Sequence, residues 1–148
     1  MTFATDIAKF LMKADRRVNS VVKKIVIDLG TKIVLRTPVG NPSMWKNPDG
    51  APIGYAGGQA RANWQYGNGN MPNGVLDTVD KAGSSTVNKI ISGVQASRAA
   101  SVHWVTNNLP YINRLESGQW SRQAPQGMVR LSVMEFKQVV KDAIKNVN

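Results

Sequence analysis

The residue types that most often carry catalysis are scarce in this chain. There is no cysteine, and the only histidine is His103. This composition excludes thiolate zinc sites, cysteine nucleophiles and two-histidine metal sites. His103 stands beside Trp104 in a predicted strand, where neighbouring side chains point to opposite faces. We interpret His103 as a packed or surface histidine and not as a catalytic base.

The acidic residues also lack the grouping that acid–base catalysis needs. Only Asp77 and Asp80 lie close together in the sequence. They precede a predicted helix, where negative charge is stabilised by the helix dipole, and a structural role therefore explains them. Nothing in their spacing points to a glycosidase-like pair. The prediction is a protein that is not an enzyme, with no catalytic residues, no metal site and no cofactor.

One glycine-rich stretch, Gly54-Tyr-Ala-Gly57-Gly58, is a candidate phosphate-binding loop. It lacks the Gly-Lys-Ser/Thr ending of such loops, and no apolar strand precedes it. We interpret it as a flexible turn that leads into the next element.

The charge of the chain favours a polyanion as its neighbour. Its 148 residues carry a formal net charge of +10, with an excess of basic residues in 1–36 and in 79–148 and a neutral stretch between. No helix-turn-helix, zinc-finger or RNA-recognition signature accompanies this charge, so non-specific attraction to DNA is favoured over base readout. The residues expected nearest to DNA lie in the first helix: Lys9, Lys13, Arg16, Arg17, Lys23 and Lys24.

The first element that must position these residues is a long amphipathic helix over residues 5–36. Apolar residues recur there at steps of three and four: Ile7, Leu11, Ala14, Val18, Val21, Val22, Ile25, Leu29 and Ile33. Such a helix would be about 45 Å long, which is long for a domain of this size. Thr37-Pro38 ends it, because proline disfavours helical geometry in the preceding residue. Charged residues interrupt its most apolar part, so no membrane span is expected.

The remainder is predicted as a loop-rich zone over residues 37–76 and a mixed region over 77–148, all within one domain spanning 1–148. The predicted strands are Ala60–Tyr66, Ser101–Asn107 and Gly127–Leu131. A middle helix capped by Ser84 or Ser85 reaches about Ala96, and Tyr111–Glu116 forms one helical turn. A capping box of Ser132 and Glu135 begins the C-terminal helix. The predicted fold class is α+β, with a small, mainly antiparallel sheet of three to five strands.

Four separated blocks of the sequence form a specific combination. They are Thr37-Pro-Val-Gly40, Gly57-Gly-Gln-Ala-Arg-Ala-Asn-Trp64, Asn107-Asn-Leu-Pro-Tyr-Ile-Asn-Arg-Leu-Glu-Ser-Gly118 and Ala124-Pro-Gln-Gly-Met-Val-Arg-Leu131. In this order and spacing, over roughly residues 20–148, the chain resembles the neck, or tail-completion, proteins of tailed bacteriophages. It departs from their pattern at Ile112 and in an insertion-like stretch, Asn41–Ile53, which carries Trp45.

The resemblance implies a structural virion protein of the head-to-tail junction, forming a homohexameric ring around the DNA channel. Its partners would be further copies of itself, the adjacent head-completion or connector proteins, and tail-terminator or tail-tube proteins. It would lie close to genomic DNA, without a membrane partner, in the virion neck and, during assembly, in the host cytoplasm. The loop Gly40–Pro52 is expected to reach a neighbouring subunit.

Eight residues are the candidates for subunit or partner contact: Trp45, Arg61, Trp64, Tyr111, Arg114, Glu116, Arg122 and Arg130. Glu116 is expected to pair with Arg114, Arg122 or Arg130, within the subunit or across an interface. An architectural role in core and turns is the competing interpretation for this set. The alternative function is a small basic nucleic-acid-binding accessory protein.

Overall fold

A computed structural model describes residues 2–147, which form six α-helices and a sheet of two strands. The helices are α1 (Phe3–Arg36), α2 (Gln59–Ala62), α3 (Ser84–Gln95), α4 (Ile112–Glu116), α5 (Val129–Met134) and α6 (Phe136–Asn146). The strands are β1 (Gln65–Asn68) and β2 (His103–Thr106). Among these residues no helix is both long and apolar enough to cross a bilayer.

The predicted long helix is confirmed as α1. The side chain of Thr2 caps its first turn by accepting from the backbone N–H of Thr5 (3.3 Å), and Asp6 adds negative charge there. The helix ends where the sequence predicts, at Thr37, whose extended backbone precedes Pro38. The Thr37 hydroxyl donates to the carbonyl oxygen of Ile33 (2.7 Å) and so satisfies one of the last orphan acceptors of α1.

The hydrophobic core is formed where the C-terminal half of α1 and helix α3 meet the sheet, helices α2 and α4, and the segment that leads into α5. Gly30 lets α3 approach closely, since a Cβ there would stand 3.1 Å from Cγ2 of Ile90. Gly93 of α3 admits the ring of Tyr66 from β1 in the same way. Val34, Ile90 and Val94 are fully buried at this junction. Small residues at the contacts therefore set how near α1, α3 and β1 lie.

The sheet differs from the prediction of three to five strands. Only β1 and β2 pair in the described part of the chain, antiparallel, with Gln65 opposite Thr106 and Asn68 opposite His103. The predicted strand Ser101–Asn107 is confirmed as β2. The chain is α+β only in broad terms, because it is mostly helical.

Two predicted strands are wrong or displaced. Most of Ala60–Tyr66 is the short helix α2 followed by a turn, and β1 begins only at Gln65. Gly127–Leu131 leads into helix α5 instead of forming a strand. A short alternation of small and polar residues fits one helical turn as well as a strand, and contacts from elsewhere in the chain decide between them.

The capping box predicted at Ser132 is also wrong. Ser132 lies inside α5, where its buried hydroxyl donates to the carbonyl oxygen of Met128 (2.7 Å) and accepts from Nη1 of Arg36 (3.0 Å). Glu135 separates α5 from α6 and accepts from Nη2 of Arg36 (2.7 Å) and from Nζ of Lys32 (2.9 Å). These two residues thus fasten α5 and α6 to the C-terminal end of α1.

The middle helix is confirmed, although its cap is not Ser84 or Ser85. Asp80 stands before α3 and accepts from the backbone N–H of Gly83 (2.9 Å) and from the N–H and hydroxyl of Thr86 (2.8 Å each). Desolvation, the largest single influence, raises the pKa of Asp80, but these hydrogen bonds and nearby Arg61 outweigh it and lower the pKa below 3.8. The structural interpretation of Asp80 is therefore confirmed.

Candidate functional site

Arg61 is one of the predicted contact residues, and it binds within its own chain. Its guanidinium donates to three carbonyl oxygens: Thr37 (2.8 Å), Leu35 (2.9 Å) and Lys81 (2.6 Å). Two of these belong to the end of α1, where the last carbonyl groups have no partner inside the helix. Arg61 therefore joins the end of α1 to the segment that leads into α3.

Trp64 is likewise architectural. Its side chain is buried, and the indole Nε1 donates to the hydroxyl of Thr37 (2.7 Å). Asn107 donates from its side chain to the carbonyl oxygen of Ala60 (2.8 Å), which ties α2 to the segment after β2. Residues from three of the four resemblance blocks thus meet around the end of α1.

Glu116 does not pair with any of the three arginines proposed from the sequence. Its Oε2 accepts from the backbone N–H groups of Met128 (2.8 Å) and Val129 (3.0 Å), and its Oε1 accepts from that of Arg130 (2.8 Å). These are the free donors at the start of α5, where a carboxylate also complements the helix dipole. The third and fourth blocks are joined by this cap.

Two further predicted contact residues of this region are the half-buried Tyr111 and the exposed Arg114. Tyr111 donates from its hydroxyl to Oε1 of Gln59 (3.1 Å), and burial followed by the proximity of Tyr55 raises its pKa above 10.0. Arg114 lies over the exposed ring of Trp120, 5.5 Å from its centroid. This is the distance range of a cation–π contact.

Arg122 and Arg130 are both exposed. The side chain of Arg130 donates from Nε to the carbonyl oxygen of Gln126 (3.1 Å), which is a contact local to α5. Of the eight predicted contact residues, therefore, Arg61, Trp64 and Glu116 serve the fold. Trp45, Arg114, Arg122 and Arg130 are exposed, and Tyr111 is half-buried.

Trp45 belongs to an exposed loop, residues 41–56, which we call the loop arm. Two turns of 3-10 helix, Pro42–Met44 and Pro48–Gly50, give it local shape. The rings of Trp45 and Tyr55 meet edge to face at 5.0 Å between centroids, and this contact brings its two ends together. Ile53 is fully exposed, so the loop arm presents apolar side chains to solvent.

A second exposed apolar surface lies on α1. Every residue from 2 to 18 is exposed, and burial begins at Asn19. We call residues 3–18 the projecting half of α1; at 1.5 Å per residue it is about 24 Å long. It carries several large apolar side chains: Phe3 (82% exposed), Phe10 (67%), Val18 (60%), Leu11 (59%) and Ile7 (43%).

Most of the apolar stripe of α1 lies on the side of the helix away from α3, although Ile33 at its end is buried in the core. At about 100° per residue, Ile7 and Val18 lie roughly opposite to Gly30, which packs against α3. Lys32 and Arg36 lie on the stripe side, and both bind Glu135 just before α6. Helix α6 therefore covers the C-terminal part of the stripe, and the same stripe continues uncovered through the projecting half.

The six basic residues predicted to lie nearest to DNA share one side of α1. Lys9, Lys13, Arg16 and Arg17 belong to the exposed projecting half. Lys23 donates to the carbonyl oxygen of Gln95 (3.1 Å), and Lys24 pairs with Asp28 (2.8 Å). The projecting half thus combines a basic side with an adjacent apolar stripe.

The single histidine is held by contacts within its own chain. His103 lies between the hydroxyl of Tyr66 (2.7 Å from Nδ1) and the carbonyl oxygen of Ala99 (3.0 Å from Nε2). This agrees with its interpretation as a packed histidine. No group of three or more potential metal-ligating residues comes together in this part of the chain.

Sequence reasoning missed the exposed apolar residues as functional candidates. The stripe of α1 was assigned to one face, but Phe3, Phe10 and Ile53 were not singled out, nor was Trp120. One signal was available, since a helix of about 45 Å exceeds what a small domain can cover.

Comparisons with protein families, curated proteins and solved structures find no match for this chain.

Proposed function

We propose that this protein is a structural component of the phage head-to-tail junction, forming a homohexameric ring around the DNA channel between connector and tail. The observation that carries the proposal is the pair of separate apolar protrusions, the projecting half of α1 and the loop arm. Monomers rarely expose large apolar patches, and such patches mark interaction sites. The resemblance of the four blocks to neck proteins supplies the kind of assembly.

The loop arm is the contact that we assign to the ring. A closed ring needs a head-to-tail interface in which two different surfaces of each subunit meet. Ile53 and Trp45 supply an apolar tip that a surface elsewhere on the neighbouring copy would cover. The loop arm is held at its base, since Val39 exchanges two hydrogen bonds with the side chain of Gln123 (3.0 and 2.9 Å).

Light scattering after size-exclusion chromatography tests the ring. We expect the full chain to form an oligomer with a central hole in electron micrographs, and deletion of Gly40–Pro52 to abolish it while leaving a folded subunit. Ile53→Asp is the milder variant, and Val102→Asp, at another exposed apolar residue, is its control. A ring that persists in both loop variants would contradict the proposal.

A nucleic-acid-binding accessory protein is the second candidate, favoured by the basic side of the projecting half. Replacing Lys9, Lys13 and Arg16 with Gln should weaken binding to duplex DNA and flatten its dependence on salt. Replacing Lys137, Lys141 and Lys145 of α6 removes the same charge elsewhere and is the matched control. Gel shifts at two salt concentrations measure both. If both triple variants weaken DNA binding equally, DNA is attracted by the overall positive charge and not by the projecting half in particular.

A further inference from the structure

We propose that the projecting half of α1 pairs with the same segment of a second copy, with the two helices antiparallel. The inference does not rest on the ring, because the ring contact is assigned to the loop arm and the pairing uses only α1. Its starting point is that the stripe of α1 is covered by α6 near Lys32 and Arg36 and is uncovered from residue 18 to residue 3.

The apolar residues of the projecting half follow the spacing of a helix–helix seam. Phe3, Ile7, Phe10 and Ala14 recur at steps of four, three and four, and Leu11 and Val18 widen the same face. Only Ala14 is small among these four residues, and antiparallel pairing places it against a large side chain. Phe3 of one copy then faces Ala14 of the other, and Ile7 faces Phe10, so that no layer pairs two phenylalanines or two alanines.

Charge decides between the antiparallel and parallel arrangements. Asp6 and Lys13 lie one heptad apart on the same flank of the seam. In an antiparallel pair the same flanks of the two helices meet, so Asp6 of each copy lies beside Lys13 of the other, twice by symmetry. In a parallel pair this flank would meet Leu11 and Val18 instead, and neither charge would gain a partner.

The opposite flank of the seam is compatible with close approach. Ala4 lies on that side and faces Leu11 of the other copy in this register, so that a small side chain meets a large one. Arg17 falls at a seam position but lies beyond the overlap of residues 3–14, where it remains in solvent. A second copy therefore covers the apolar residues from Phe3 to Ala14 and pairs Asp6 with Lys13 in a single register.

Sedimentation of the full chain over a wide concentration range tests the pairing. We expect Phe10→Asp to halve the mass of the assembly, and Met12→Asp to leave it unchanged. Met12 is equally apolar and exposed but lies on the other side of α1, so it is the matched control. Both residues lie outside the core, and thermal melting checks that the fold is kept. Equal effects of the two variants, or no change in mass with either, would overturn the proposal.

Charge exchange and cross-linking test the direction of the helices. Asp6→Lys alone should weaken the pairing and Lys13→Glu alone should too, whereas the double variant should restore it. Because the chain has no cysteine, a mixture of Phe3→Cys and Ala14→Cys chains should oxidise to the mixed disulfide. Disulfides between identical chains would show parallel pairing and refute the register.

The same basic, apolar helix has the composition of a segment that lies on an anionic membrane. Vesicles of phosphatidylglycerol provide the discriminating assay. Flotation of the protein with vesicles, combined with a mass in their absence that Phe10→Asp leaves unchanged, would assign the stripe to lipid and overturn the pairing. We expect that the protein does not float with the vesicles and that Phe10→Asp lowers the mass of the assembly.

Discussion

Replacing Glu116 with Ala tests the most specific departure from the sequence prediction. The carboxylate of Glu116 accepts three backbone N–H groups at the start of α5, from Met128, Val129 and Arg130, at 2.8–3.0 Å. Met128 is fully buried, so its N–H loses a partner that water does not easily replace. The alternative, an ion pair at the surface, would contribute much less.

The expected loss follows from the type of hydrogen bond. Bonds to a charged group contribute about 1.5–3 kcal/mol, and loss of a helix cap costs about 0.5–2 kcal/mol. These are two descriptions of one interaction and do not add, so we expect the free energy of unfolding to fall by about 2–3 kcal/mol. For a chain of this length each kcal/mol lowers the melting temperature by about 2–4 °C, which gives roughly 4–12 °C.

Thermal and urea unfolding followed by tryptophan fluorescence measure this loss. Asp77→Ala is the matched control, because Asp77 is exposed and its removal changes the net charge equally. Glu116→Gln should lie between the two, since it keeps one acceptor oxygen and loses the charge that complements the helix dipole. If Glu116→Ala and Asp77→Ala differ by less than about 0.5 kcal/mol, the usual effect of a surface change, the capping argument is refuted.

Three further predictions concern the contacts that hold the helices together. Hydrogen bonds from Arg36 above all lower the pKa of Glu135 from 4.5 to about 2, so its stabilisation is present above pH 4.5 and is lost as the pH falls towards 2. The gap in melting temperature between wild type and Glu135→Gln should therefore close over that range. Arg61→Lys loses the planar fork that reaches three carbonyl oxygens, and urea unfolding should show a loss of about 1–3 kcal/mol. Gly93→Ala should destabilise by about 1 kcal/mol or more, because its Cβ would stand 2.6 Å from Cδ1 of Tyr66.

Each of these has a control within the chain. Arg122→Lys makes the same exchange at an exposed arginine. If it lowers the free energy of unfolding as much as Arg61→Lys does, the three hydrogen bonds of the Arg61 guanidinium do not explain the loss. Gly74→Ala introduces a Cβ with nothing within 4 Å, and a Gly93 variant no less stable than this one would mean that Tyr66 moves aside freely. A gap for Glu135→Gln that stays constant down to pH 2 would contradict the assignment of its pKa.

Local patterns were sufficient for elements whose periodicity is long or whose boundaries carry strong signals. The helix ending at Thr37-Pro38, the middle helix that became α3 and the strand β2 are confirmed from such patterns. The turn of helix at α4 was predicted within one residue of its start. For the helices the determining interactions lie within a few residues, so a single sequence contains them, whereas β2 also depends on its pairing with the distant strand β1.

Contacts between distant parts of the chain decided the elements that the sequence misassigned. Val129–Met134 is helical with its first N–H groups held by Glu116, more than ten residues earlier. Ser132 and Glu135 have the spacing of a capping box, yet the hydroxyl of Ser132 accepts a hydrogen bond from Arg36, 96 residues away. A short segment with two compatible conformations takes the one that its tertiary partners satisfy.

The same division applies to the candidate site. The resemblance blocks and the residues in them were visible in the sequence, but only the fold shows that Arg61, Trp64 and Glu116 bind their own chain. Their spacing along the chain contains no information on whether a partner is internal or external. Conversely, Arg114 and Trp45 stay exposed because their neighbours leave them at the surface.

The long helix shows most clearly what each level determined. Its length, its amphipathic stripe and its end at Thr37 follow from the sequence, because helical periodicity and the proline restriction act locally. An apolar stripe shows which face of a helix avoids water, but it does not show what covers that face. Only the tertiary structure decided that α6 covers the C-terminal part of α1 and that nothing among residues 2–147 covers residues 3–18. The reason is geometric: a helix of 34 residues extends past the elements that this small fold can place beside it.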